Sequence, residues 1–198
     1  SSAASDVYKR QTAHPGYLGC QDTYYVGNFK GIGRVYGQVY IDSYTRVADC
    51  KLYQDKTAIT SADMLNDRVL PWYESQGIPI LRILTDRGTE YTGNIQHHAF
   101  ELFLSIEGIE HTKTKSYSPQ TNGMCERFNK TMKTEFFDVA MRKKIYLELH
   151  DLQKDLDIWM QYYNNERPHS GRYCYGKTPM QTFIDSKHLA VEKDNQML

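Results

Sequence analysis

The 198-residue chain lacks any long apolar run, so it offers no segment of the roughly eighteen residues that cross a membrane. It also lacks a basic leader followed by an apolar stretch, the mark of secretion. Its four cysteines, Cys20, Cys50, Cys125 and Cys174, are scattered and form no Cys-x-x-Cys pair. That spacing excludes a zinc ribbon, which the seven histidines do not rescue, and reads as reduced thiols in a cytoplasmic protein. Net charge is absent too, with 24 Lys+Arg against 24 Asp+Glu. A zero total argues mildly against nucleic-acid binding, but distribution matters more. From His111 to Leu147, eight bases (Lys113, Lys115, Arg127, Lys130, Lys133, Arg142, Lys143, Lys144) face only three acids, Glu126, Glu135 and Asp138. No repeat or low-complexity tract interrupts the chain.

What is present fits one domain with a sizeable core. Residues 1–11 read as a disordered or non-native leader, 12–185 as the core and 186–198 as a tail. Tyr17–Val26, Arg34–Ile41 and Thr45–Tyr53 are rich in Tyr and Val and are separated by turn signals, which predicts an antiparallel three-strand meander. A helix follows over Ser61–Gln76, with Ser61 as its cap, Pro71 as a kink or early end and Gly77 as its stop. Ile80–Thr85 reads as a buried strand ending at Asp86. A helix near Gln96–Glu107, a brief strand at Ile109–Thr114, a polar loop over Lys115–Gly123 and a helix carrying Glu126 come next. The last long helix spans Tyr146–Asn164, and Pro168 ends it. That order predicts an α/β fold, a mixed sheet flanked by helices. The 16 tyrosines, several of them in strands, read as packing and are given no function.

Three acids share a logic. Asp22 lies in a strand, Asp86 ends one, and Glu126 opens a helix. Carboxylates from separate elements can meet at one edge of a sheet if hard cations such as a Mg²⁺ pair neutralise them. Around the Glu126 helix, Lys130 and Lys133 fall within roughly 40° of Glu126 at 100° per residue. Cys125, Phe128, Met132 and Phe136 take the opposite side. Such a face suits a phosphate backbone, and equally a solvated helix with a Glu–Lys pair.

The flanking residues carry a resemblance. Thr85-Asp86-Arg87-Gly88-x-Glu90-Tyr91, Ser118-Pro119-Gln120-Thr121-Asn122-Gly123-x-x-Glu126-Arg127-Phe128-Asn129 and Tyr163-Asn164-x-Glu166-Arg167-Pro168-His169 with Lys177-Thr178-Pro179 occur in order. The chain resembles the catalytic cores of insertion-sequence DDE transposases and retroviral integrases over nearly all of residues 12–185. The resemblance implies a ribonuclease-H-like fold with a five-stranded mixed sheet, and a polynucleotidyl transferase that cuts and joins DNA. It implies Asp22, Asp86 and Glu126 as catalytic and metal-binding acids for two Mg²⁺ ions, with Mn²⁺ as the other candidate metal. Asp42 is the rival first acid, and Asp22 is preferred because it stands in the first strand and precedes Thr23. The 39 residues between Asp86 and Glu126 slightly exceed the family's usual spacing. The Lys115–Gly123 loop would close over a DNA end, with Arg87, Lys113, Lys115, Asn122, Lys130 and Lys133 as DNA contacts. The family works as homo-oligomers on DNA, which here would be bacterial nucleoid DNA. Residues 1–16 are too short for its N-terminal helix-turn-helix region, so the chain is read as a fragment. A plain ribonuclease-H-like nuclease and a catalytically silent DNA-binding module are the alternatives.

Overall fold

The computed structural model describes residues 13–114 and 123–194. Strands β1 (Gly19–Phe29), β2 (Gly33–Asp42) and β3 (Ala48–Tyr53) form the predicted antiparallel meander. Its first turn needs left-handed backbone at Gly31 (φ 96°) and Gly33 (φ 90°), which glycine adopts at little cost. Strands β4 (Arg82–Thr85) and β5 (Glu110–Lys113) then join in parallel. The sheet order is β3-β2-β1-β4-β5.

Alternation along β2 assigns the two faces. Val39 and Ile41 pack with Cys125, Phe128 and Met132 and with Leu152, Leu156 and Met160. Tyr40 points the other way, into a second core with Met64, Leu65, Phe100, Leu104 and Phe183. Each such side chain, fully buried, contributes about 1.5–3 kcal/mol. The first core is closed by α3, which runs through Gly123–Met132, a π-helical turn Lys133–Phe137 and Asp138–Lys143, and by α4 (Leu149–Asn165). The second is closed by α1 (Ala58–Met64, a π-helical turn Leu65–Val69, then Leu70–Ser75), α2 (Ala99–Ile106) and α5 (Pro179–Asp194). All four cysteines are buried and unpaired. No described helix is long and apolar enough to cross a membrane.

Three local outcomes differ from the sequence expectations. Helix α1 starts at Ala58, because Thr57 and Thr60 form a reciprocal capping box. Ser61 lies one turn inside, its hydroxyl bonded to the Thr57 carbonyl at 3.0 Å. Pro71 does not end the helix, because the preceding turn is widened and the Leu70 amide reaches back to the Leu65 carbonyl. The chain beyond 185 continues as α5, which buries Ser186 and Ala190.

Strand β3 is a sheet edge, and edges expose unpaired amides and carbonyls. Helix α4 covers this one with side-chain amides. Asn164 accepts from the Ala48 amide (3.0 Å) and donates to its carbonyl (2.8 Å). Gln153 does the same for the Leu52 amide (2.7 Å) and the Cys50 carbonyl (3.1 Å). Asn164→Ala leaves a buried donor and acceptor bare, and should cost about 2 kcal/mol or more in urea unfolding. An unchanged midpoint would remove Asn164 from the edge's support.

Candidate functional site

Strands β1 and β4 pair in parallel with Gly19 opposite Ile83 and Cys20 opposite Leu84. Two steps further along that register, Asp22 falls opposite Asp86. Burial and the Asp86 charge push the Asp22 acid up to about 6, against the pull of its hydrogen bond with Asn129. That bond, from Asn129 Nδ2 to Asp22 Oδ2 at 3.0 Å, seats α3 against the sheet edge. Glu126 stands three residues before Asn129 on the same helix, exposed. Asp86 is oriented by the Gly88 amide, which donates to its Oδ1 at 2.8 Å. A Cβ at Gly88 would overlap the Glu90 carboxylate and sit 3.0 Å from Asp86 Oδ1, so glycine lets these two acids approach.

Glu90 is a member of this site to which the sequence reading gave no role. Its side chain is 2% exposed, and Oε1 pairs with Lys56 Nζ at 3.0 Å. Its Oε2 is buried with no hydrogen-bond partner among the described residues. The bond to Glu90 raises the pKa of the Lys56 ammonium, and the Asp86 and Asp22 charges add to this. The Asp86 loop is locked by Tyr91, whose hydroxyl donates to Gln38 Oε1 (3.0 Å) and lies 2.9 Å from Thr23 Oγ1. Gln38 in turn donates to Thr23 Oγ1 at 2.9 Å. Thr23 and Tyr91 therefore tie the segments carrying Asp22 and Asp86 together, which explains why those motifs end as they do.

Among the described residues, no three His, Cys, Asp or Glu side chains come together as a ready metal cage. Asp22 feels the Asp86 charge, and Glu126 lies one turn along α3 from Asn129, which bonds Asp22. The donors are carboxylate oxygens, which hard divalent cations prefer. A buried oxygen without a partner and an acid pushed up by its neighbour are both relieved by positive charge. The residues fit such an ion.

Comparisons with known proteins bear on the fold and the family resemblance. Residues 107–179 match the family model described as the integrase core domain. That match spans little more than a third of the chain, and over those residues the chain is similar to integrase cores. Over 138 residues it is 32% identical to the ORF3 product of a Spiroplasma virus, whose name carries the word integrase. The match covers 66% of this chain and 37% of that relative, so the chain spans little more than a third of its length. Among solved structures, a chain of the simian T-cell lymphotropic virus intasome in complex with PP2A regulatory subunit B56 gamma superposes with a TM-score of 0.67 at 19% identity, covering 88% of this chain and 56% of that one. The HTLV-2 integrase catalytic core, solved with magnesium, gives 0.62 at 17% identity over 86% of this chain and 97% of its own. These likenesses show the fold, which is ribonuclease-H-like.

Asp42, the rival first acid, is a structural hub. It is buried, and it accepts from the Gly16, Tyr44 and Thr45 amides and the Thr45 and Tyr73 hydroxyls at 2.7–3.1 Å. The candidate DNA contacts divide. Lys113 is paired with Glu101 at 2.5 Å and Lys133 with Asp138 at 2.9 Å. Arg87 bonds the Thr114 carbonyl at 2.8 Å. Lys130 lines an open basic cleft. Lys115 and Asn122 lie outside the described residues.

A carboxyl whose pKa is raised by folding holds more protons folded than unfolded between its two values. Stability therefore falls as pH rises through that window. In EDTA, the wild-type chain should lose stability between about pH 4 and about pH 6 through Asp22. Asp22→Asn should lose less over that window in urea titrations. Identical pH slopes for the two proteins would contradict the assignment.

Proposed function

We propose that this chain is the catalytic core of a DDE transposase or integrase, a polynucleotidyl transferase acting on DNA. The observation that carries the reading is the electrostatic coupling of Asp22 to Asp86 across the parallel β1–β4 pair, with the Glu126 helix docked on Asp22 through Asn129. The integrase name of one relative and the magnesium present in a structural neighbour support it.

Asp22, Asp86 and Glu126 would hold two divalent cations, Mg²⁺ or Mn²⁺, which supply activation of the attacking oxygen and stabilisation of the leaving one. The chain's own part is placement. Asn129 fixes one oxygen of Asp22. The Gly88 amide does the same for Asp86, and Tyr91 with Thr23 keeps the two segments from drifting apart. Water would cut a phosphodiester at the element's end and free a 3′-hydroxyl. That hydroxyl would attack a phosphorus of the target strand and displace its 3′-oxygen, with no covalent protein–DNA intermediate. The full protein would assemble as a homo-oligomer on paired DNA ends.

Glu126→Gln and Asp86→Asn should each reduce strand joining of a labelled oligonucleotide to background while far-UV circular dichroism stays unchanged. A Glu126→Gln chain that joins ends at the wild-type rate would end this reading. Strand cutting without joining would favour a ribonuclease-H-like nuclease. Binding can be read separately from activity. Mg²⁺ or Mn²⁺ should raise the wild-type melting temperature, because a ligand of the folded state stabilises it, and this rise should be lost in Asp86→Asn.

A further inference from the structure

Beside the acids lies a cleft of about 910 Å³, floored by α3 and walled by the segment that follows α4. Arg46, Arg127, Lys130, Arg167 and Arg172 line it together with His169, and no carboxylate does. Among the described residues only Arg167 of these five has an ion pair, a two-point contact with Glu135 at 2.7 and 2.8 Å. The rest of that positive charge is uncompensated within the described fold.

We propose that this cleft binds successive phosphates of the DNA strand that runs on from the reacting phosphodiester, a role that rests on and extends the function above. The helix supplies the continuity. At about 100° per residue, Asn129 lies about 60° to one side of Glu126, and Lys130 and Arg127 lie about 40° and 100° to the other. Asn129 touches Asp22, whereas Lys130 and Arg127 line the cleft. Glu126 thus stands between the acids and the cations, so a strand crossing from one to the other passes over it.

The cleft is built rather than incidental. Tyr173 stacks on Tyr44 at 4.1 Å, and the Cys174 thiol bonds the Thr45 carbonyl at 3.3 Å, which anchors the wall to the β2–β3 turn. The His169 backbone pairs with Lys177 and Gly176, closing the segment on itself. His169 Nδ1 accepts from the Gly171 amide at 2.9 Å, so the neutral ring carries its proton on Nε2 and can donate. Burial and the charges of Arg46, Arg167 and Arg127 push His169 down to about 4, so at neutral pH it is a hydrogen-bond donor without charge. Gly171 permits this packing, since a Cβ there would overlap the His169 ring. Five cations exceed what one small anion requires, and Tyr175, 76% exposed at the rim, offers a ring on which an unpaired base can stack.

The test is fluorescence anisotropy of a labelled duplex oligonucleotide titrated with the full chain in EDTA, where binding is read without chemistry. The Arg127→Ala/Arg172→Ala double variant should bind about tenfold or more weakly at low salt, and its plot of log affinity against log salt should be shallower by about two. Lys154→Ala, an exposed lysine outside the cleft, should keep both values. Matching thermal unfolding curves would confirm that the double variant is folded. Wild-type affinity and slope in a folded double variant overturn the cleft proposal and leave the function standing. Competition by inorganic pyrophosphate as strong as by unlabelled duplex also overturns it, by marking a small-anion site. A wild-type chain that binds no duplex sinks both readings.

Discussion

Two carboxylates that repel each other, with the nearby Lys56 ammonium bonded to Glu90, are the constraint around which the rest of this fold is arranged. Parallel pairing of β1 with β4 brings Asp22 and Asp86 to the same level, and burial, with the Asp86 charge added to it, raises the Asp22 acid. A sheet edge left to itself would splay to relieve the repulsion. Here the network of Gln38, Thr23 and Tyr91 prevents that, because both hydrogen bonds of the Tyr91 hydroxyl would be left unmade if the Asp86 loop moved away from β1. Asn129 pins Asp22 from above, and Lys56 brings the only lysine charge against Glu90 among the described residues. The result is an edge that favours cations and resists rearrangement.

How much of this is legible in the residues alone depends on the range of the interaction. The meander is legible because Tyr, Val and paired glycines act locally. The alignment of Asp22 with Asp86 follows from motif order. Glu90 stands within the Asp86 motif, yet its burial against Asp86 depends on the turn at Gly88, a matter of backbone conformation that residue type does not specify. Lys133 looks available to phosphate because ideal helical geometry does not bring residues five apart together. A π-helical turn does, and Lys133–Phe137 is such a turn, so Asp138 captures the lysine. Lys113 is lost to Glu101 from a different helix, a pairing with no trace in sequence spacing.

The last helix has a clear start signal in its residues but little to show how far it runs. Thr178 accepts from the Gln181 amide at 3.1 Å, and Pro179 opens α5. A threonine cap followed by proline at the first helical position is a standard start. The stripe that follows is only weakly apolar, so periodicity does not carry the core past 185, and the burial of Ser186 and Ala190 depends on tertiary packing. The basic cleft is hidden for the opposite reason. Its cations come from positions 46, 127, 130, 167 and 172, and a charge count over the window from 111 to 147 sees only two of them.

Helix α3 joins these pieces, and its two faces explain why the protein has zero net charge yet a polar groove of one sign. The apolar face must bury Cys125, Phe128 and Met132 against the sheet, which fixes the helix's rotation. Once that rotation is set, Asn129 has to meet Asp22 and Arg127 has to face the opposite wall, because side-chain directions on a helix are not independent. Acidic and basic surfaces therefore meet along one line, marked by Glu126. A substrate that is negative along its backbone matches that division, with the groove's own cations along the strand and the acids of the proposed metal site at the reacting bond. Chain neutrality is then no obstacle to binding DNA, since what the backbone meets is the local sign of each surface in turn.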